Sequence, residues 1–90
     1  NKLSLFQSFI YSHSPHIIAL SETWLSDKIY SNEILPSGYI IYRSDRQTRG
    51  GGVLICVSLS LSSNLIISHS NIDMVVVQLL TSPPITLCCL

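Results

Sequence analysis

The 90-residue chain carries five Lys and Arg against five Asp and Glu, a formal net charge of zero, with 47% hydrophobic and 11% charged residues. That is enough chain for one small domain and rules out a second. Neutrality argues against a basic nucleic-acid tail, a polybasic membrane anchor or an acidic solvating segment, and the apolar content argues against intrinsic disorder.

Leu3, Phe6 and Ile10 recur at helical spacing, with Phe9 beside them and polar residues between, which predicts an amphipathic helix from Lys2 to His13. Ser14-Pro15 ends it, because the residue before a proline is biased away from helical geometry. The continuous apolar run at residues 17–20 then reads as a central strand buried on both faces, so helix followed by strand suggests an α/β unit. A polar surface connection follows, closing on the Pro36-Ser37-Gly38 turn signal.

Residues 39–43 read as a short strand. Residues 44–50 form a polar loop holding Asp45, Arg46 and Arg49, and Gly50-Gly-Gly52 launches the β-branched run 53–57, the clearest strand of the chain. Residues 58–62 alternate with period two and extend that strand until Ser63-Asn64 breaks it; residues 65–67 are a short strand candidate. Residues 74–80 and 85–90, separated by Thr81-Ser-Pro-Pro84, are close enough for an antiparallel hairpin. The count is five or six strands and one helix.

No apolar run approaches the roughly 20 residues of a membrane-spanning helix, and polar residues break the N-terminal pattern that a secretory signal would need. The final strand has only begun its sheet, so both ends look cut. Cys56, Cys88 and Cys89 lie in apolar, strand-like runs and read as small buried side chains in a reducing compartment. Adjacent cysteines on a strand face opposite ways, which disfavours a shared metal. His13, His16 and His69 are too dispersed for a ligand pair, the glycine triplet lacks the Lys and Ser/Thr of a phosphate loop, and Trp24 and Tyr42 read as core or rim aromatics.

The candidate site is Ser21-Glu22-Thr23-Trp24-Leu25, at the carboxyl end of the strand 17–20, where open α/β sheets place ligands. Glu22 is the residue positioned to hold a hard cation; the alternative is a strand-end carboxylate paired with Arg43 or Arg46. Arg43, Arg46 and Arg49 are candidate contacts to DNA phosphates, against a structural loop in which they pair with local carboxylates.

The blocks His16-Ile-Ile-Ala-Leu-Ser-Glu-Thr-Trp-Leu25, Ile34-Leu-Pro-Ser-Gly-Tyr39, Tyr42-Arg-Ser-Asp-Arg46 and Arg49-Gly-Gly-Gly-Val-Leu-Ile55 resemble the first part of the endonuclease domain of LINE-type (non-LTR) retrotransposons. That domain belongs to the endonuclease/exonuclease/phosphatase superfamily, with the apurinic-site endonucleases and DNase I. The resemblance implies part of a four-layer α/β sandwich, residues 1–90 being an N-terminal fragment of one domain. It also implies a magnesium-dependent endonuclease that nicks target DNA to prime reverse transcription, with Glu22 as catalytic residue and Mg2+ ligand. The implied partners are DNA, the remainder of the endonuclease domain and a reverse transcriptase in cis, with no membrane and no small-molecule cofactor, in an intracellular and specifically nuclear setting.

Several family blocks have no counterpart. The Asn on the strand before the first helix, which would lie upstream of Asn1, the Tyr-x-Pro-Pro block, the Gly-Asp-Phe-Asn block and the terminal Ser-Asp-His block are not in the sequence. The chain alone is therefore expected to be inactive. Two other readings stay open: a noncatalytic decayed remnant, and a phosphoesterase of the same superfamily with another substrate. Without a partner sheet, the apolar faces of residues 53–57 and 74–80 are expected to lie open and to drive aggregation.

Overall fold

The computed structural model describes residues 2–25, 30, 34–35, 37–46 and 50–90. The helix α1 (Lys2–His13) is followed by β1 (Ile17–Ser21), β2 (Tyr39–Ser44), β3 (Val53–Ser58), β4 (Ser63–His69), a single 3-10 turn at Ser70–Ile72, β5 (Met74–Leu79) and β6 (Ile85–Cys89). The strands form two antiparallel three-stranded sheets, ordered β1-β3-β2 and β4-β5-β6. The helix has the expected bounds. Ser14 adopts a left-handed backbone (φ 44) and its N–H returns to the Ile10 carbonyl at 2.9 Å, a helix stop that Pro15 makes final.

Strand β3 explains the layering. Its side chains alternate, and both faces are buried: Val53, Ile55 and Val57 meet Val75, Val77 and Leu79 of β5, whereas Leu54 and Cys56 turn toward Ile10 of the helix and toward Leu25, Ile34 and Leu35. The order of layers is thus helix, first sheet, second sheet. Gln7 of the helix adds a hydrogen bond from Nε2 to the Ile34 carbonyl at 3.1 Å.

This arrangement corrects the fold class expected from the sequence. The chain is mostly β-sheet with one short helix, not a four-layer α/β sandwich. The helix-then-strand start suggested alternating units, but every strand pairing is antiparallel and the second sheet packs directly on the first.

Strand β1 is likewise an edge strand. Ile18 and Leu20 pack toward the helix while Ile17 and Ala19 are exposed, because the second sheet does not cover that margin. A continuous apolar run does not distinguish a central strand from an edge strand with one uncovered face. The apolar faces of β3 and β5 are not open either: they close on each other, with Val57, Val75 and Val77 fully buried.

Strand β3 stops at Ser58, and residues 59–61 turn instead of extending it. Ser63 and Asn64, expected to break the chain, belong to β4, where they pair with Leu79 and Gln78. The expected hairpin of β5 and β6 is present in regular register from Val75↔Cys89 to Leu79↔Ile85. Much of the polar connection between β1 and β2 lies outside the described residues. Among the described residues, no helix is long and apolar enough to cross a membrane.

Candidate functional site

The residues around Glu22 are brought together by the end of β1 and the glycine triplet that leads into β3. Leaving the sheet, Glu22 (φ 54) and Trp24 (φ 55) both take left-handed backbone conformations. For a residue with a side chain this costs about 1–2 kcal/mol, so the surrounding contacts must hold it. They do so through the glycines: the Thr23 N–H donates to the Gly52 carbonyl at 3.2 Å and the Trp24 N–H to the Gly51 carbonyl at 2.8 Å.

The same approach explains why glycine is needed. A Cβ on Gly52 would lie 2.6 Å from Thr23 Oγ1, and one on Gly51 would lie 2.3 Å from Arg46 Cζ.

Glu22 is exposed, and its Oε2 accepts a 3.2 Å hydrogen bond from Trp24 Nε1. The indole lies over Gly50 and is itself largely exposed, a rim aromatic. On the other side of the triplet, Arg46 Nη2 pairs with Asp73 Oδ2. The hydrogen bond to Asp73 raises the Arg46 pKa, and the Asp73 and Glu22 charges add to the effect. Reciprocally, the hydrogen bond from Arg46 holds the Asp73 carboxyl below the usual carboxylate range, with further help from the Gly52 backbone N–H. Asp73 itself sits in a left-handed turn (φ 49) before β5.

Three polar atoms at this junction lack partners among the described residues, Asp73 Oδ1 being one. Thr23 Oγ1 and Ser44 Oγ are buried without a hydrogen-bond partner among the described residues. Ser44 pairs in register with Val53, which places its side chain on the face turned to the second sheet. Unmatched buried oxygens of this kind cost about 1–3 kcal/mol each and are uncommon in folded chains.

The three arginines separate. Arg43 is committed to Asp45, with Nη2 at 2.6 Å from Oδ2 and Nε donating to both carboxylate oxygens, and both side chains are largely buried. Its structural reading is the better one. Arg46 is half-exposed and paired with Asp73. Arg49 lies outside the described residues.

Sequence reading missed Asp73, whose only signal was an acidic residue in a polar turn at the start of an apolar strand. The histidines remain apart: His13 stacks on Phe9 with ring centroids 4.4 Å apart. Among the cysteines, Cys56 and Cys89 are buried while Cys88 is exposed. All three are free. Burial pushes the Cys56 thiol up to about 12, so it stays protonated at neutral pH.

Magnesium keeps several waters and takes one or two carboxylates beside substrate phosphates. Glu22 meets the donor chemistry for one such ligand, whereas the Thr23 hydroxyl is buried against Gly52. Asp73 is engaged by Arg46, and among the described residues no three His, Cys, Asp or Glu side chains converge as a metal site. The residues fit one corner of a cation site. No protein-family model, curated protein or solved structure matches the chain.

Proposed function

We propose that this chain contributes the cation-binding corner of a magnesium-dependent DNA endonuclease of the LINE-type retrotransposon kind, with Glu22 as the metal ligand. The observation that carries the reading is the concentration of backbone strain. Of the non-glycine residues with positive φ among the described residues, Glu22, Trp24 and Asp73 belong to this junction, and the remaining one, Ser14, is a helix stop. Strain of this kind is held most often where function needs a fixed geometry. The sequence blocks that carry the resemblance also meet here: the Glu-Thr-Trp block is hydrogen-bonded to the glycine triplet, and the Arg46 guanidinium lies against Gly51.

The roles follow from charge and placement. Glu22 holds the cation, which would supply neutralisation of charge on a DNA phosphate. Trp24 orients the carboxylate, and Arg46, half-exposed beside it, contacts the phosphate backbone. The remaining catalytic groups, including the base for water and the phosphate-contacting His, come from the family blocks this sequence lacks. The chain works only together with them and with a reverse transcriptase in cis, in the nucleus where its target DNA lies.

The test uses the chain's single tryptophan. Terbium emission excited through Trp24 should appear on titration, fall when Mg2+ competes, and vanish in Glu22→Gln. A signal that survives in Glu22→Gln, or none in the parent chain, removes Glu22 as a cation ligand. In a polypeptide extended through the missing blocks, magnesium-dependent relaxation of supercoiled plasmid should be lost with the same substitution. Absence of nicking there leaves the decayed-remnant reading.

A further inference from the structure

Three oxygens around Gly52 are buried without a hydrogen-bond partner among the described residues: Thr23 Oγ1, Ser44 Oγ and Asp73 Oδ1. Each arrives from a different part of the fold. Thr23 leaves β1 and lays its hydroxyl on Gly52, 2.6 Å from the point a Cβ there would occupy, and the Ser44 carbonyl at the end of β2 is 3.5 Å from the same point. Ser44 is 3% exposed and lies opposite Val53, so its hydroxyl turns into the seam between the sheets, where Val53 meets Val75. Asp73 enters that seam from the turn before β5, with Oδ2 on Arg46, whose guanidinium lies against Gly51.

Two of the three groups are hydroxyls, which donate and accept, and the third is a carboxylate oxygen, which only accepts. Within reach of one another they would pair, and they do not. An oxygen taken out of water without a partner is costly, so three at one junction call for a fourth group. It must be small, because Val53 and Val75 wall the seam, and it must both donate and accept. It must also be neutral, since Arg46 already matches the Asp73 charge and a further ion would be buried uncompensated.

We propose that this junction binds one resident water, which donates to Asp73 Oδ1 and accepts the hydroxyl hydrogens of Thr23 and Ser44. About three hydrogen bonds are usual for a buried water. The water ties the exit of β1, the end of β2 and the turn before β5 at a single point, and so braces the left-handed loop that follows β1. It does this whether or not Glu22 binds a cation.

The sign of one substitution tests the idea. If the Ser44 hydroxyl has no partner, Ser44→Ala removes a desolvated group and raises the folding equilibrium constant. If it is bonded to the water, Ser44→Ala should lower that constant roughly tenfold in denaturant unfolding of the 90-residue chain, and Thr23→Val should do the same. Because either change already disrupts the shared water, the double variant should lose several-fold less than the product of the two single effects.

Oxygen-17 relaxation dispersion of the solvent, which registers waters held inside a protein, gives the second readout. The parent chain should hold one more such water than either single variant with native amide dispersion. A higher folding constant in Ser44→Ala overturns the proposal, as do effects that simply multiply in the double variant. A parent chain without a long-lived water overturns it too, and so does an unchanged water count in a destabilised Ser44→Ala, which would give the hydroxyl a protein partner instead.

Discussion

Replacing Gly52 by Ala should destabilise the chain more than the same change at Gly38 or Gly50, and the comparison isolates why. All three glycines have positive φ, at 101°, 85° and 88° for Gly38, Gly50 and Gly52. Holding an L-residue there costs about 1–2 kcal/mol. Alanine recovers about 0.4–1 kcal/mol by restricting the unfolded chain. A new Cβ at Gly38 meets nothing within 4 Å, and at Gly50 it touches the Trp24 ring at an ordinary 3.5 Å, so both variants should lose about 1 kcal/mol.

At Gly52 the Cβ would fall 2.6 Å from Thr23 Oγ1, and the Thr23 side chain must shift or rotate within its buried surroundings while its backbone N–H stays bonded to the Gly52 carbonyl. Overpacking adds about 1–3 kcal/mol, for a total near 2–4 kcal/mol. With a urea dependence of about 1–3 kcal/mol per molar, the Gly52→Ala midpoint should drop by about 1 M or more at unchanged slope. Thr23→Ala in the same chain should restore most of the excess, since it removes the oxygen that collides. A Gly52→Ala midpoint equal to that of Gly50→Ala, or no coupling with Thr23→Ala, would refute the account of how the loop carrying Glu22 is held.

Three further outcomes are expected. Ile10 is 1% exposed and is the helix residue buried against Leu54 and Cys56, so Ile10→Ala should cost about 2–5 kcal/mol in thermal or denaturant unfolding; a loss under about 1 kcal/mol would mean the helix is not docked as described. Exposed Cys88 should be alkylated rapidly in the native chain, and Cys56 only after unfolding because burial both covers its thiol and keeps it protonated; equal labelling rates by mass spectrometry would contradict this. The depressed Asp73 carboxyl contributes stability that is complete above the ordinary aspartate value of 3.8 and is lost as pH falls through its lower folded value. Asp73→Asn should therefore flatten the acid limb of a stability profile, and an unchanged limb would show that Arg46 does not hold it in solution.

Local pattern made some elements legible and not others. The helix was readable to the residue because Leu3, Phe6 and Ile10 set its period and Ser14-Pro15 its stop. Strand β3 was readable from its β-branched run, and the β5–β6 hairpin from two apolar runs around Pro83-Pro84. Strand β4 was seen only at residues 65–67, because what makes Ser63 and Asn64 extended is pairing with β5, which overrides a local turn preference. The packing of the two sheets was not legible. Nothing along residues 53–57 or 74–80 says that each is the other's cover, so the faces seemed open. At the site, Glu22 stood out through its neighbours in sequence, whereas Asp73 belongs there only through a contact across the two sheets.

The position of β3 between two cores also orders the assembly of the molecule. Strands β4, β5 and β6 follow one another as a meander, and each finds its partner next door in sequence. The first sheet has no such shortcut: β1 must wait for the chain to pass through β2 before β3 arrives between them. Long closures cost entropy that is repaid only when they are complete, so the meander offers the early template and β1 joins late. The junction that holds Glu22 exists only after β1, the glycine triplet and Asp73 have all arrived, which makes it a marker of the finished fold.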